Sequence, residues 1–178
     1  GLIQHGTIMS EKALALFIRK TLKAAGIRGK KCGICITSNQ IIVREFHFPA
    51  MIKDSLKDNV CYEIAEYLPL AMDNYIVDYR VLDDEASSQN NLLRVMAVAV
   101  PIDIVESYMR VLRQAGLKPI IMDIAANCQE IWYNAYISRI EELSAKHNNV
   151  CLIYMGAYST RYTLLHGGVY FVDKISTS

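Results

Sequence analysis

The chain has 178 residues, 52% of them hydrophobic and 21% charged, with a formal net charge of +1. That length holds one domain, or two small subdomains with a real core, and a charge so near zero implies no strong field for nucleic acid or a membrane surface. No apolar run is long enough to span a bilayer, and the opening GLIQHGTIMS lacks the basic-then-apolar order of a signal peptide.

Ser10 before Glu11 predicts a helix N-cap, and Leu14, Phe17, Ile18 and Leu22 follow at helical spacing. Gly26 stops that helix. Cys32 to Thr37 reads as a strand, Ser38-Asn39-Gln40 as a tight turn, and Ile41 to Phe48 as a second strand ended by Pro49. Ile52 to Leu68 is a helix whose row Leu56, Val60, Ile64 and Leu68 repeats every four residues. Pro69 stops it, because the ring clashes and the amide donor is missing. After the turn Ala71–Asn74 come a strand from Tyr75 to Leu82, an exposed polar loop over 83–91, and an apolar, central strand from Leu92 to Val100. Pro101 opens a helix that runs to Gln114 and stops at Gly116. Lys118 to Ile124 is another strand, so Phe46 to Ile124 carries the β-α-β-β-α-β order of a ferredoxin-like unit.

A long helix is predicted from Ala125 to about Lys146, with Cys128, Ile131, Trp132, Ala135, Ile140 and Leu143 on its apolar side and Trp132 as a core residue. Three short strands follow: Val150 to Met155, Thr160 to Leu165, and Val169 to Val172, with His166-Gly167-Gly168 as a hairpin turn. Two helix ends look alike, Thr21–Ile27 and Val111–Leu117, which we read as shared stop grammar.

Cys32, Cys35, Cys61, Cys128 and Cys151 are scattered through apolar segments and predict small buried hydrophobes in a reducing setting. Cys32 and Cys35 form a C-x-x-C word, but on a strand positions i and i+3 face opposite ways, so redox or zinc chemistry is not expected. His5, His47, His147 and His166 lie in unrelated segments with no nucleophile to activate. Glu63 and Glu66 share a helix face at i, i+3, a spacing open to acid–base work but usual for a solvated face.

Several words in this order resemble the PilM family, the actin-like proteins of type IV pilus assembly, with FtsA of cell division and the cytoplasmic part of GspL as more distant cousins. They are Gly26-Ile27 before a strand, Arg44 to Pro49 (REFHFP), Glu63 to Leu70 (EIAEYLPL), Val77-Asp78-Tyr79, and Ala115 to Pro119 (AGLKP) with Met122-Asp123-Ile124. The resemblance implies an α/β (α+β) chain that is a fragment of an actin-like, FtsA/PilM-type fold. Residues 1–44 and 125–149 would belong to a 1A-type subdomain, 45–124 would be an inserted βαββαβ 1C-like subdomain, and 150–178 would begin a 2A-type subdomain. It also implies a cytoplasmic scaffold at the inner face of the cell membrane. That scaffold would bind the short N-terminal tail of a PilN-like inner-membrane protein between 1A and 1C, and ATP with Mg in the full-length protein.

A tail-binding groove needs apolar pockets and a few fixed polar groups. Tyr62, Glu63, Glu66, Tyr67, Leu68 and Pro69 at the helix end, with Asp78 and Tyr79 on the next strand, offer both; the plainer reading is that Tyr67 and Tyr79 pack the helix on its sheet. For nucleotide, Gly156, Ser159 and Thr160 stand where a second phosphate hairpin belongs, but Tyr154 stands where that hairpin carries an aspartate to organise the metal. No catalytic residue, resident cofactor, metal or ATPase activity is expected for this stretch, nor a nucleic-acid partner or membrane span. Two further readings stay open: an actin-like ATP-binding protein or ATPase, and a free-standing ferredoxin-like binding module. Unpaired edges on the C-terminal strands predict a homodimer or segment exchange.

Overall fold

The structure, a computed structural model, describes residues 1–4, 6–49, 55–82, 92–137, 140, 149–156 and 159–177. In chain order its elements are β1 (Ile3–Gln4), β2 (Thr7–Ile8), α1 (Glu11–Ala24), β3 (Lys31–Ile36), β4 (Ile42–Pro49), α2 (Leu56–Ala65), a 3₁₀ turn (Met72–Asn74), β5 (Tyr75–Leu82), β6 (Leu92–Pro101), α3 (Ile102–Gln114), β7 (Lys118–Ile124), α4 (Ala125–Ile137), β8 (Asn149–Met155), β9 (Ser159–His166) and β10 (Val169–Thr177). They form two compact units, one of residues 1–30 and 38–118, the other of 31–37 and 119–178. These units divide the chain differently from the boundaries expected from sequence.

In the first unit, β6 lies between β4 and β5 and is antiparallel to both. This is a split βαβ: α2 carries the chain from one edge strand to the other. Leu56, Val60 and Ile64 of α2 are buried against Phe48, Tyr75, Val95, Ala97 and Ala99 of the sheet. Ala97 and Ala99 are small enough for the helix to sit close, and each fully buried aliphatic side chain contributes about 1.5–3 kcal/mol. The helix ends at Ala65, and two further amides, those of Tyr67 and Leu68, still bond back to Ile64 and Ala65. The winding tightens there before Pro69, which can donate nothing.

The N-terminal segment joins this unit because α1 packs on α3. Leu14 and Ala15 meet Val111 and Ala115, and Arg110 grips Glu11 through Nε and Nη2, the latter at 2.9 Å. Tyr108 of α3 donates from its hydroxyl to the Gly6 carbonyl at 3.1 Å, tying down the β1–β2 hairpin, which sequence reading missed. The Ser10 hydroxyl caps α1, accepting from the Ala13 amide.

In the second unit, β3 and β7 form a two-stranded sheet. The fourth strand of the predicted ferredoxin-like order therefore pairs with β3 and not with the β4–β6–β5 sheet. Gly33 makes the approach possible, since a Cβ there would stand 2.8 Å from the Ile121 Cγ2. That pairing weighs against a free-standing ferredoxin-like module. Strands β8, β9 and β10 form an antiparallel meander with β8 and β10 at its edges. Strand β10 is longer than predicted and carries a bulge between Tyr170 and Val172.

Helix α4 contacts β9 and β10, and polar side chains settle the packing. Glu130, buried, accepts the Tyr170 amide at 2.8 Å. Asn134 donates to the Gly168 carbonyl, and Thr163, fully buried, donates to Gln129. Trp132, expected in the core, is 60% exposed and stacks on Tyr136 with ring centroids 5.3 Å apart. The buried face of α4 is taken by Ala126 and Glu130 instead. Cys35 and Cys151 are exposed and Cys32, Cys61 and Cys128 half-buried, so none is the fully buried hydrophobe expected. The predicted extension of α4 through 141–146 and the polar loop over 83–91 lie outside the described residues.

Burial raises the pKa of Tyr108, and burial with the Asp173 hydrogen bond raises that of Tyr170. Both phenols hold their proton more tightly folded than unfolded. Their contribution to stability is therefore full below about pH 10, where tyrosine ionises in an unfolded chain, and is lost as pH rises toward the folded-state values. Melting curves should show the midpoint falling as pH is raised past about 10, and less steeply in a Tyr108→Phe, Tyr170→Phe double variant. An equal slope in both proteins would refute the assignment.

Candidate functional site

The end of α2 and strand β4 build one surface of the first unit. Tyr67 has two neighbours from β4: the Phe46 ring lies 6.0 Å from its centroid at 52°, and the Arg44 guanidinium carbon lies 4.9 Å away over the ring. These are tilted aromatic and cation–π contacts, and Phe46 in turn packs on Phe48 at 6.0 Å. Tyr67 nevertheless stays 47% exposed, and Tyr62, one turn earlier, is 73% exposed. Glu66, Pro69 and Leu70 are also in solvent.

The predicted set does not share one face. Leu68 and Tyr79 pack against the apolar cluster under α2, so they are floor and not wall. Side chains alternate along a strand, which sends Asp78 to the sheet face opposite Tyr79. The Asp78 carboxylate accepts the Tyr79 amide at 2.9 Å. Tyr62, Glu63, Glu66, Tyr67 and Pro69 remain on the helix-end surface. Sequence reading missed Arg44 and Phe46 as members of it. The available signal was alternation: Phe46 and Phe48 face the helix, so Arg44 does too.

Beside them Arg94 forms a two-pronged ion pair with Glu45, both contacts at 2.9 Å. Glu45 holds the Arg94 pKa above its ordinary value. Glu45 alternates with Arg44 and Phe46, so this pair stiffens the sheet from the other face.

In the second unit, the Gly156 amide bonds to the Ser159 carbonyl at 2.9 Å, closing the turn between β8 and β9; Ala157 and Tyr158 lie outside the described residues. Met155 pairs with Thr160, and Tyr154 pairs with Arg161 and is 63% exposed. Gly156, Ser159 and Thr160 thus sit in a strand–turn–strand in which the Gly156 amide is already taken by the Ser159 carbonyl. The carboxylate on β10, Asp173, is engaged by Arg161 and by the Tyr170 hydroxyl at 2.7 Å. Among the described residues no group of three His, Cys, Asp or Glu side chains is placed to hold a metal ion.

Residues 1–174 match the model of a family described as type IV pilus assembly protein PilM. The chain belongs to the PilM family. No curated protein sequence matches it. Its fold is similar to that of a solved PilM-PilN type IV pilus biogenesis complex, with 24% identity and a TM-score of 0.81 over 99% of this chain and 51% of that one. It is also similar to the cytoplasmic domain of EpsL, an inner membrane component of the type II secretion system of Vibrio cholerae, with 10% identity and a TM-score of 0.56 over 98% of this chain and 60% of that one. The chain therefore spans about half of the PilM relative's length. Its mixed α and β structure is as expected. Among the described residues no helix is long and apolar enough to cross a membrane.

Proposed function

We propose that the chain is a scaffold part of type IV pilus assembly that binds the short N-terminal tail of a PilN-like inner-membrane protein at the inner face of the cell membrane. The observation that carries this is Tyr67, in contact with Phe46 and Arg44 yet half-open to solvent. A rigid, preordered aromatic loses little entropy when a peptide covers it, and Glu63 and Glu66 beside it suit basic residues on that peptide. Membership of the PilM family supports the partner class, since a family relative is solved as a complex with PilN.

Calorimetric titration of the full-length protein with the tail peptide should give saturable binding that Tyr67→Ala weakens roughly ten-fold or more, as for a hot-spot aromatic. Asp78→Asn, on the opposite face of its sheet, should leave the affinity unchanged. Binding that survives Tyr67→Ala would remove this surface from the reading.

The same reading makes this stretch of chain a binder, with no ATPase activity expected of it. Tyr154 supplies no carboxylate for a metal at the β8–β9 turn, and an actin-type site needs that charge. Mg-ATP should leave the melting temperature of the chain unchanged; a clear upward shift would favour the ATP-binding alternative.

A further inference from the structure

The net charge of +1 conceals a strong segregation. Residues 19–30 and 111–118 hold seven of the nineteen Lys and Arg side chains and none of the eighteen Asp and Glu. The fold brings these two stretches together. Each is a helix end closed the same way: the Gly26 and Gly116 amides bond to the carbonyls of Lys23 and Arg113, and the Ile27 and Leu117 amides to those of Leu22 and Leu112. Both glycines have positive φ, as this cap requires. The two look-alike words are twin caps, set side by side by the packing of α1 on α3.

Between them lies a cavity of about 440 Å³ lined by Arg19, Lys23, Arg28 and Lys30 with Gly26 and Gly116. Lys20, Arg113 and Lys118 are exposed close by in the chain. Arg19 also donates to the Gln114 carbonyl, bracing the two helix ends. Because the last carbonyls are satisfied by backbone amides, the negative helix ends are blunted and the field is set by the side chains.

Apolar side chains stand among these cations. Ile27, at the loop between Gly26 and Arg28, is 56% exposed, and Leu16 and Phe17 are exposed on α1. Leu16, Lys20 and Lys23 recur at i, i+4 and i+7 on one stripe of that helix. A purely acidic partner would answer the charges and leave Ile27, Leu16 and Phe17 in water. An anionic bilayer answers both, with headgroups for the cations and the interface for the apolar tips.

We propose that the paired ends of α1 and α3 form a docking surface for an anionic phospholipid membrane, with a headgroup phosphate seated in the cavity among Arg19, Lys23, Arg28 and Lys30. This surface lies outside the Arg44–Phe46–Tyr67 peptide face, so the two can fail separately. Vesicle co-sedimentation tests it directly. The chain should sediment with phosphatidylglycerol-containing vesicles, remain in solution with pure phosphatidylcholine, and be released as salt rises. A triple variant, Lys20→Ala, Lys23→Ala, Arg28→Ala, should lose roughly a hundred-fold in partitioning, as expected from three interfacial cations. Lys57→Ala, on α2, should lose none, and Ile27→Ser should weaken binding at unchanged charge. Equal sedimentation with neutral vesicles, retention by the triple variant, or binding to polyglutamate or DNA in place of vesicles would each overturn the proposal.

Discussion

Ile64→Ala is expected to cost about 3–4 kcal/mol, in the upper part of the range for truncating a buried isoleucine, and to lower the melting midpoint by about 10 °C for a chain of this length. Ile64 is fully buried on α2, facing Val95, Ala97 and Ala99. Those three belong to β6, which is hydrogen-bonded on both sides, to β4 and to β5. A strand held on both sides cannot move to fill a void, and alanines offer no longer side chain to swing into it. The cavity therefore persists and the full penalty is felt. Ile64→Val, which removes one methylene, should cost about 1 kcal/mol. Ile76→Ala, on the exposed side of β5, should stay within about 0.5 kcal/mol. The test is a set of urea melts on the three variants, and an Ile64→Ala loss no larger than that of Ile76→Ala would show that α2 is not seated as described. A functional consequence follows from position. Tyr67 comes one turn after Ile64 and its amide bonds to the Ile64 carbonyl, so a loosened α2 should also weaken peptide binding.

Periodicity carried most of the local structure. The four-residue row of α2, the strand alternation around Phe46 and Phe48, and the glycine stops at Gly26 and Gly116 are properties of single segments, and all can be read from neighbours in sequence. Strand pairing is not such a property. Nothing within Lys118 to Ile124 says that it will join β3 and leave the α2 sheet with three strands; the deciding contact is between Gly33 and Ile121, far apart in sequence. Trp132 misled because aromatic burial is a tendency of the residue type, while the buried stripe of α4 is set by which side meets β9 and β10. There Glu130 and Asn134 bond to backbone atoms of Tyr170 and Gly168, and Trp132 is left to stack on Tyr136.

The candidate surface was half legible for the same reason. The helix-end words around Tyr67 are local, and the family resemblance rests on them. Arg44 and Phe46, which contact Tyr67, come from a strand more than fifteen residues earlier and become neighbours only through the fold. The basic helix ends reverse the lesson. Every cation there was visible in sequence, but a whole-chain charge averages the cluster away. Charge per segment, set beside the recognition that the two look-alike caps pack together, is what separates a neutral protein from one with a cationic face.

Arg161→Ala is the second large effect expected, about 3 kcal/mol. Arg161 sits on β9 with its guanidinium bonded to Asp173 of β10 and to the Thr37 hydroxyl just after β3. The Asp173 carboxylate also accepts the Tyr170 hydroxyl. Arg161 is 11% exposed and Asp173 18%, so removing the cation strands a nearly buried carboxylate. Breaking such a pair costs more than the pair contributes, because desolvation of the survivor is no longer offset. Three segments lose their common partner at once: β3 through Thr37, β9 through Arg161 itself, and β10 through Asp173. Asp173→Asn should cost less, about 1–2 kcal/mol, since the amide oxygen still accepts from Tyr170 while the guanidinium loses its counter-charge. The double variant Arg161→Met, Asp173→Leu should recover much of the loss, as two apolar side chains replace two ions that would otherwise need each other. Urea unfolding of Arg161→Met, of Asp173→Leu and of the two together closes the double-mutant cycle that decides it. If the double variant is as unstable as the sum of the singles, the two side chains are not coupled and the network described around β9 is wrong.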